Sequence, residues 1–121
     1  MGVFSKKDKV ALDMQAISTF ITEGTHIEGN FKAPAVARLD GQVTGDVNIG
    51  EGLILGETGI IHGNVTTKDM VVHGIINGNI NVQSLEIKST GKITGEIKTN
   101  ALLVETGAVY NGTLSMYQEH K

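Results

Sequence analysis

Apolar and polar residues alternate along most of this chain, and the alternation is carried by a phrase that recurs. "GIIHGNV" begins at Gly59, "GIINGNI" at Gly74 and "GKITGEI" at Gly91. Aligning the second glycine of each phrase gives the column Gly29, Gly45, Gly63, Gly78, Gly95, Gly112, in steps of 16, 18, 15, 17 and 17 residues. Two positions before it stand Ile27, Val43, Ile61, Ile76, Ile93 and Tyr110; two positions after it stand Phe31, Val47, Val65, Ile80, Ile97 and Leu114. The positions between are mostly polar, such as His62, Asn64, Asn77 and Asn79. A period of two predicts a half-buried β-strand.

A second strand is predicted between the phrases, with inward pairs two residues apart: Ala37 with Leu39, Leu53 with Leu55, Met70 with Val72, Leu85 with Ile87, Leu102 with Val104. "GETG", "KSTG" and "VETG" then turn the chain, where glycine takes conformations that a Cβ resists. A coil of about 17 residues built from two or three short strands is the rung of a β-solenoid. Rungs stack at about 4.8 Å, so some six of them make a rod on the order of 30 Å long. A helix is excluded because no apolar set recurs at three and four residues. A β-sandwich would not keep one glycine in register through every coil.

The flanks break the pattern. Residues 1–16 read as a flexible tail with one short helical turn around Val10, Met14 and Ile17. Residues 17–117 read as the solenoid, opening with a partial coil at "ISTFITEG", and residues 118–121 as a polar tail. The length of 121 residues suits one domain, and a 40% hydrophobic share suffices for a core. Only 4% of residues are aromatic and none is Trp, so that core must be built from Ile, Val and Leu.

Composition excludes several functions. A formal charge of −3 argues against a nucleic-acid partner. The absence of cysteine removes disulfides, thiolate metal sites and thiol nucleophiles. The longest apolar run, Ala101 to Val104, is far short of the ~20 residues of a membrane-spanning helix. The N-terminus has no apolar stretch of the secretory kind. His26, His62, His73 and His120 fall in different columns and form no row of metal ligands. "GEGLILG" has the wrong spacing for a dinucleotide loop, and "TGKIT" lacks the remainder of a phosphate loop. No acid–base pair stands out, so neither a catalytic group nor a cofactor is expected.

"TFITEGTHIEGNF", followed by coils such as "GIINGNINVQSLEIKSTGKITGEI", resembles the bactofilins, bacterial polymer-forming cytoskeletal proteins. The resemblance covers about residues 17 to 117. It implies an all-β, right-handed parallel β-helix of triangular cross-section, and assembly into filaments without nucleotide. Such filaments act as scaffolds for partners, peptidoglycan-remodelling enzymes among them, and influence cell shape. "MGVFSKK" is also similar to a short apolar-plus-lysine segment that holds some members at the inner face of the cytoplasmic membrane. Met1, Val3, Phe4, Lys6, Lys7 and Lys9 are its candidate contacts. Each lysine near an anionic surface contributes about 1 kcal/mol, so firm attachment needs the many copies of a filament. A solvated, unattached tail is the plainer reading of the same residues.

Assembly also follows from physics. A solenoid exposes unpaired strand edges at both ends unless it is capped, and no capping helix is expected after Leu114. The candidate end residues are Phe20, Ile21, Ile27 and Phe31 in the first coil, and Tyr110, Leu114, Met116 and Tyr117 in the last. They equally suit finishing the core. Two rival functions remain at this point. One is an adaptor that does not polymerise. The other is a hexapeptide-repeat acyltransferase on a left-handed β-helix, which the six-residue spacing of Val43, Ile49, Leu55 and Ile61 suits. Three hexads demand 18 residues per coil, however, and steps of 15, 16 and 17 break that register.

Overall fold

The structure is a computed structural model in which residues 17–116 are described. They form fourteen strands and no helix: β1 (Ile17–Ile21), β2 (His26–Glu28), β3 (Phe31–Ala33), β4 (Val36–Leu39), β5 (Gln42–Thr44), β6 (Val47–Ile49), β7 (Gly52–Leu55), β8 (Ile60–His62), β9 (Val65–Val72), β10 (Ile75–Asn77), β11 (Ile80–Ile87), β12 (Lys92–Thr99), β13 (Ala101–Val104) and β14 (Val109–Met116). The helical turn expected around Val10 and Met14 lies outside the described residues.

Every pairing is parallel, and the pairings make three ladders. The first face stacks β2, β5, β8, β10, β12 and β14. The second stacks β3, β6, β9, β11, β12 and β14. The third stacks β1, β4, β7, β9, β11 and β13. The chain is therefore a three-faced β-solenoid of six coils, preceded by the partial coil β1. Registers are in line within each face: Ile76 opposes Ile61 and Ile93, and Leu85 opposes Met70 and Leu102.

Alternation decides what fills the interior. Val43, Ile61, Ile76 and Ile93 on the first face are fully buried, as are Val47, Val65, Ile80 and Ile97 on the second and Leu39, Leu55, Val72 and Ile87 on the third. All belong to one apolar cluster running along the axis. β-Branched side chains suit these positions because they pack well on a pleated surface and lose little rotamer freedom there.

The recurring phrase, expected as one strand, is two strands meeting at a corner in the first four coils. The glycine turns that corner. Gly45 has φ +141° and Gly78 φ +152°. A Cβ on Gly78 would also run into the carbonyl oxygen of Gly63 one coil earlier, and one on Gly45 into that of Gly29. Only glycine satisfies both constraints. The next residue completes the corner through its side chain. The side-chain oxygen of Asn30 accepts the Asp46 N–H at 3.4 Å. Asp46, Asn64 and Asn79 accept in turn from Asn64, Asn79 and Glu96, each at 3.3 Å.

Turn length at a second corner explains the larger differences in the repeat, and the remaining single residue lies between the second and third faces, where Val47 and Leu53 are six apart but their partners Val65 and Met70 are five apart. The steps of 18, 17 and 17 pass through four-residue turns, closed by Gly59 N–H to Gly56 O, Gly91 N–H to Lys88 O and Ala108 N–H to Glu105 O. The steps of 16 and 15 pass instead through the tight corners Asp40-Gly41 and His73-Gly74. Long turns clasp short ones: the Thr58 hydroxyl donates to Asp40 O and the Thr90 hydroxyl to His73 O, both at 2.7 Å.

Candidate functional site

The solenoid ends where its columns run out. β14 pairs only with β12, and β13 only with β11, among the described strands. Each leaves an outer edge of N–H and C=O groups. The apolar columns continue into this last coil but lose their cover. Val72 and Ile87 are fully buried while Val104, next in the column, is 49% exposed. Ile80 and Ile97 are buried while Leu114 is 40% exposed. Met116 is 44% exposed, and Val109 and Leu103 add outward apolar area beside them. Leu102 and Ala108 are half-buried against the core.

Tyr110 behaves differently. It packs on the core, and its hydroxyl meets the main-chain carbonyls of Gly95 and Thr113. Burial pushes its phenol above the ordinary value. At the other end, Ile21, Ile27 and Phe31 are half-buried against the core, while Phe20 points outward and is 59% exposed. Of the end residues expected from the sequence, the structure thus places Leu114 and Met116 together on the open last coil, and Phe20, Ile21, Ile27 and Phe31 around the first. Tyr117 lies outside the described residues, as do the candidate membrane contacts Met1, Val3, Phe4, Lys6, Lys7 and Lys9. Val104, Val109 and Leu103 were not singled out from the sequence. The signal was present, because Val104 is the last member of a column whose other members are buried.

The lateral faces carry little chemistry. His26 meets the Thr44 hydroxyl and His62 the Asn77 amide, both at 3.3 Å and both exposed. No group of three or more His, Asp or Glu side chains converges as metal ligands among the described residues. Lys88 donates to Glu86 at 2.6 Å and to Glu105 at 3.3 Å, bridging two coils. The hydrogen bond that Lys88 donates to Glu86 holds the Lys88 ammonium above its ordinary pKa, and the one it donates to Glu105 holds that carboxyl below its own. A shallow hollow lined by Arg38, Asp40, Glu57 and His73 is open to solvent. Within it Arg38 pairs with Asp40 at 3.0 Å, which is an ordinary surface ion pair. No helix among the described residues is long and apolar enough to cross a membrane.

Comparison with known proteins agrees with this picture of a solenoid with open ends. The bactofilin family, described as polymer-forming cytoskeletal, matches residues 19–115. Bactofilin BacP of Myxococcus xanthus (strain DK1622) is 27% identical over 100 residues; the match takes in 82% of this chain but only 42% of BacP. Among solved structures, the cryo-EM reconstruction of double helical filaments of Thermus thermophilus bactofilin superposes with a TM-score of 0.73 at 27% identity, covering 79% of this chain and 98% of that one. The cytoskeletal bactofilin BacA, determined by solid-state NMR, gives a TM-score of 0.76 at 31% identity over 83% of this chain and 96% of its own. The acyltransferase reading gives way here, since the family is structural. The chain belongs to the bactofilin family of polymer-forming cytoskeletal proteins.

Proposed function

We propose that this chain assembles end to end into filaments without nucleotide, and that the filament is a scaffold at the inner face of the cytoplasmic membrane. The observation that carries the reading is the contrast along the apolar columns. Positions buried in the interior coils are 40–49% exposed at Val104, Leu114 and Met116. Another rod end placed on this coil would continue each column and pair the free edges of β13 and β14. Surfaces that match without closing a ring give an open filament. The filaments of the Thermus thermophilus relative support the same reading. Residues 1–9 supply weak membrane contact through Val3, Phe4 and the lysines, multiplied by the copy number of the polymer. Peptidoglycan-remodelling enzymes are the partners proposed for the lateral faces.

High-speed pelleting in nucleotide-free buffer tests assembly. The parent protein is expected in the pellet, and Leu114→Lys/Met116→Lys in the supernatant with an unchanged β-sheet circular dichroism spectrum. If the double variant pellets like the parent, the last coil is not the contact. Flotation with anionic vesicles tests attachment: Phe4→Ser/Lys6→Gln/Lys7→Gln should float less than the parent, and equal flotation would contradict the assigned tail.

A further inference from the structure

The third face has an apolar patch on its outside, and that patch is covered. Leu53 and Leu55 point into the core, so the alternation of β7 aims Ile54 outward. Ile54 is nevertheless 1% exposed. Val36, outward in the coil before, is equally buried, and Val71, outward in the coil after, is half-buried. The three form a cluster of their own, apart from the axial core. All fourteen described strands are used by the three ladders, so none is left to lie over this face.

The route of the chain identifies the cover. β1 starts at Ile17, opposite Val36 on this same face. The sixteen preceding residues therefore leave the rod beside the patch. Ile54 lies two rungs from β1, about 10 Å at ~4.8 Å per rung, which three or four extended residues span. Residues 117–121 leave from the far end, four rungs away at ~19 Å, which five residues at ~3.3 Å each do not reach. They are also mostly polar, whereas "VALDMQA" at 10–16 supplies Val10, Leu12 and Met14.

We propose that residues 10–16 dock across the outside of the third face, with Leu12 and Met14 covering Val36, Ile54 and Val71. Docking there directs residues 1–9 away from the rod at one lateral face. The membrane-contact segment then has a fixed side of the filament to work from. The proposal concerns a contact within one chain and stands whether or not the ends polymerise.

The chain has no cysteine, so single thiols report accessibility cleanly. Ile54→Cys is placed in the full-length protein and in Leu12→Asp/Met14→Asp, and maleimide labelling rates are measured across a dilution series. Thr66→Cys, at an exposed mid-rod position on the second face, serves as the control, and circular dichroism confirms the fold. The expected result is slow labelling of Ile54→Cys in the parent at every concentration and at least tenfold faster labelling with Leu12→Asp/Met14→Asp. Equal rates in the two backgrounds would overturn the proposal. Protection that appears only at high concentration would overturn it too, because a second copy would then be the cover.

Discussion

Gly78 lies against Gly63 with no space for a methyl group between them: a Cβ on Gly78 would collide with the Gly63 carbonyl oxygen. That close approach, repeated down the corner, is what forces the same glycine into every coil after the first. Gly78→Ala is expected to cost about 3 kcal/mol or more, since a positive φ alone costs about 1–3 kcal/mol and the carbonyl clash adds to it. Gly29 is the contrast. It has φ +113°, but its Cβ direction is open. Gly29→Ala should therefore cost only the conformational term, about 1–3 kcal/mol, and less than Gly78→Ala. Urea denaturation of both variants measures the difference; equal losses would mean that stacking does not dictate the glycine.

Thr67 is inward-facing and 7% exposed, and its hydroxyl is the only buried side-chain polar atom among the described residues that lacks a hydrogen-bond partner. Thr99, in the same column, has a satisfied hydroxyl, which meets Gln83 O and Ala101 O at 3.1 and 2.9 Å. Thr67→Val should stabilise by up to about 1 kcal/mol, because it removes an unpaid desolvation without changing shape. Thr99→Val should destabilise by about 0.5–1.5 kcal/mol. Thermal melts of the pair give opposite signs if the two hydroxyls differ as the structure shows.

The main features of the fold were legible because a solenoid writes each column several times. Val43, Ile61, Ile76 and Ile93 declare one inward face without help from tertiary structure. The phrase was harder to resolve into strands. Alternation continues through Gly45 whether the chain runs straight or bends, so Val43 and Val47 look like one strand although they belong to two faces. The uneven steps became intelligible only once Asp40-Gly41 and His73-Gly74 proved to be short corners. Ile54 was passed over because strict alternation assigns it to solvent. The unbroken run Leu53-Ile54-Leu55 was the available signal, since a strand buried on both sides reads as continuous apolar sequence. The exposed last coil was legible only in part: Leu114 and Met116 stand in the terminal phrase, whereas Val104 closes its column one strand earlier and reads with the buried pairs unless its place at the end of that column is weighed.

Lys88 ties two coils together through Glu86 and Glu105, and its linkage to pH has two limbs. A base held above its ordinary value of 10.5 adds stability that is complete below that pH and is lost as pH rises through the folded value. An acid held below 4.5 adds stability that is complete above that pH and is lost as pH falls through the folded value. Lys88→Met should thus lower the melting temperature modestly at pH 7, with a penalty that is flat between those limits. The penalty should shrink below pH 4.5 and above pH 10.5. A penalty independent of pH would show that packing of the lysine stem, rather than its charge, matters.

The central claim is that the ends of the rod meet. Negative-stain electron microscopy of the full-length protein without nucleotide, with the axial spacing taken from power spectra, tests it most directly. Six coils at ~4.8 Å predict thin filaments with a subunit repeat of about 30 Å, or about 60 Å if like ends face each other. Discrete small particles, or filaments whose axial repeat fits neither value, would contradict end-to-end stacking.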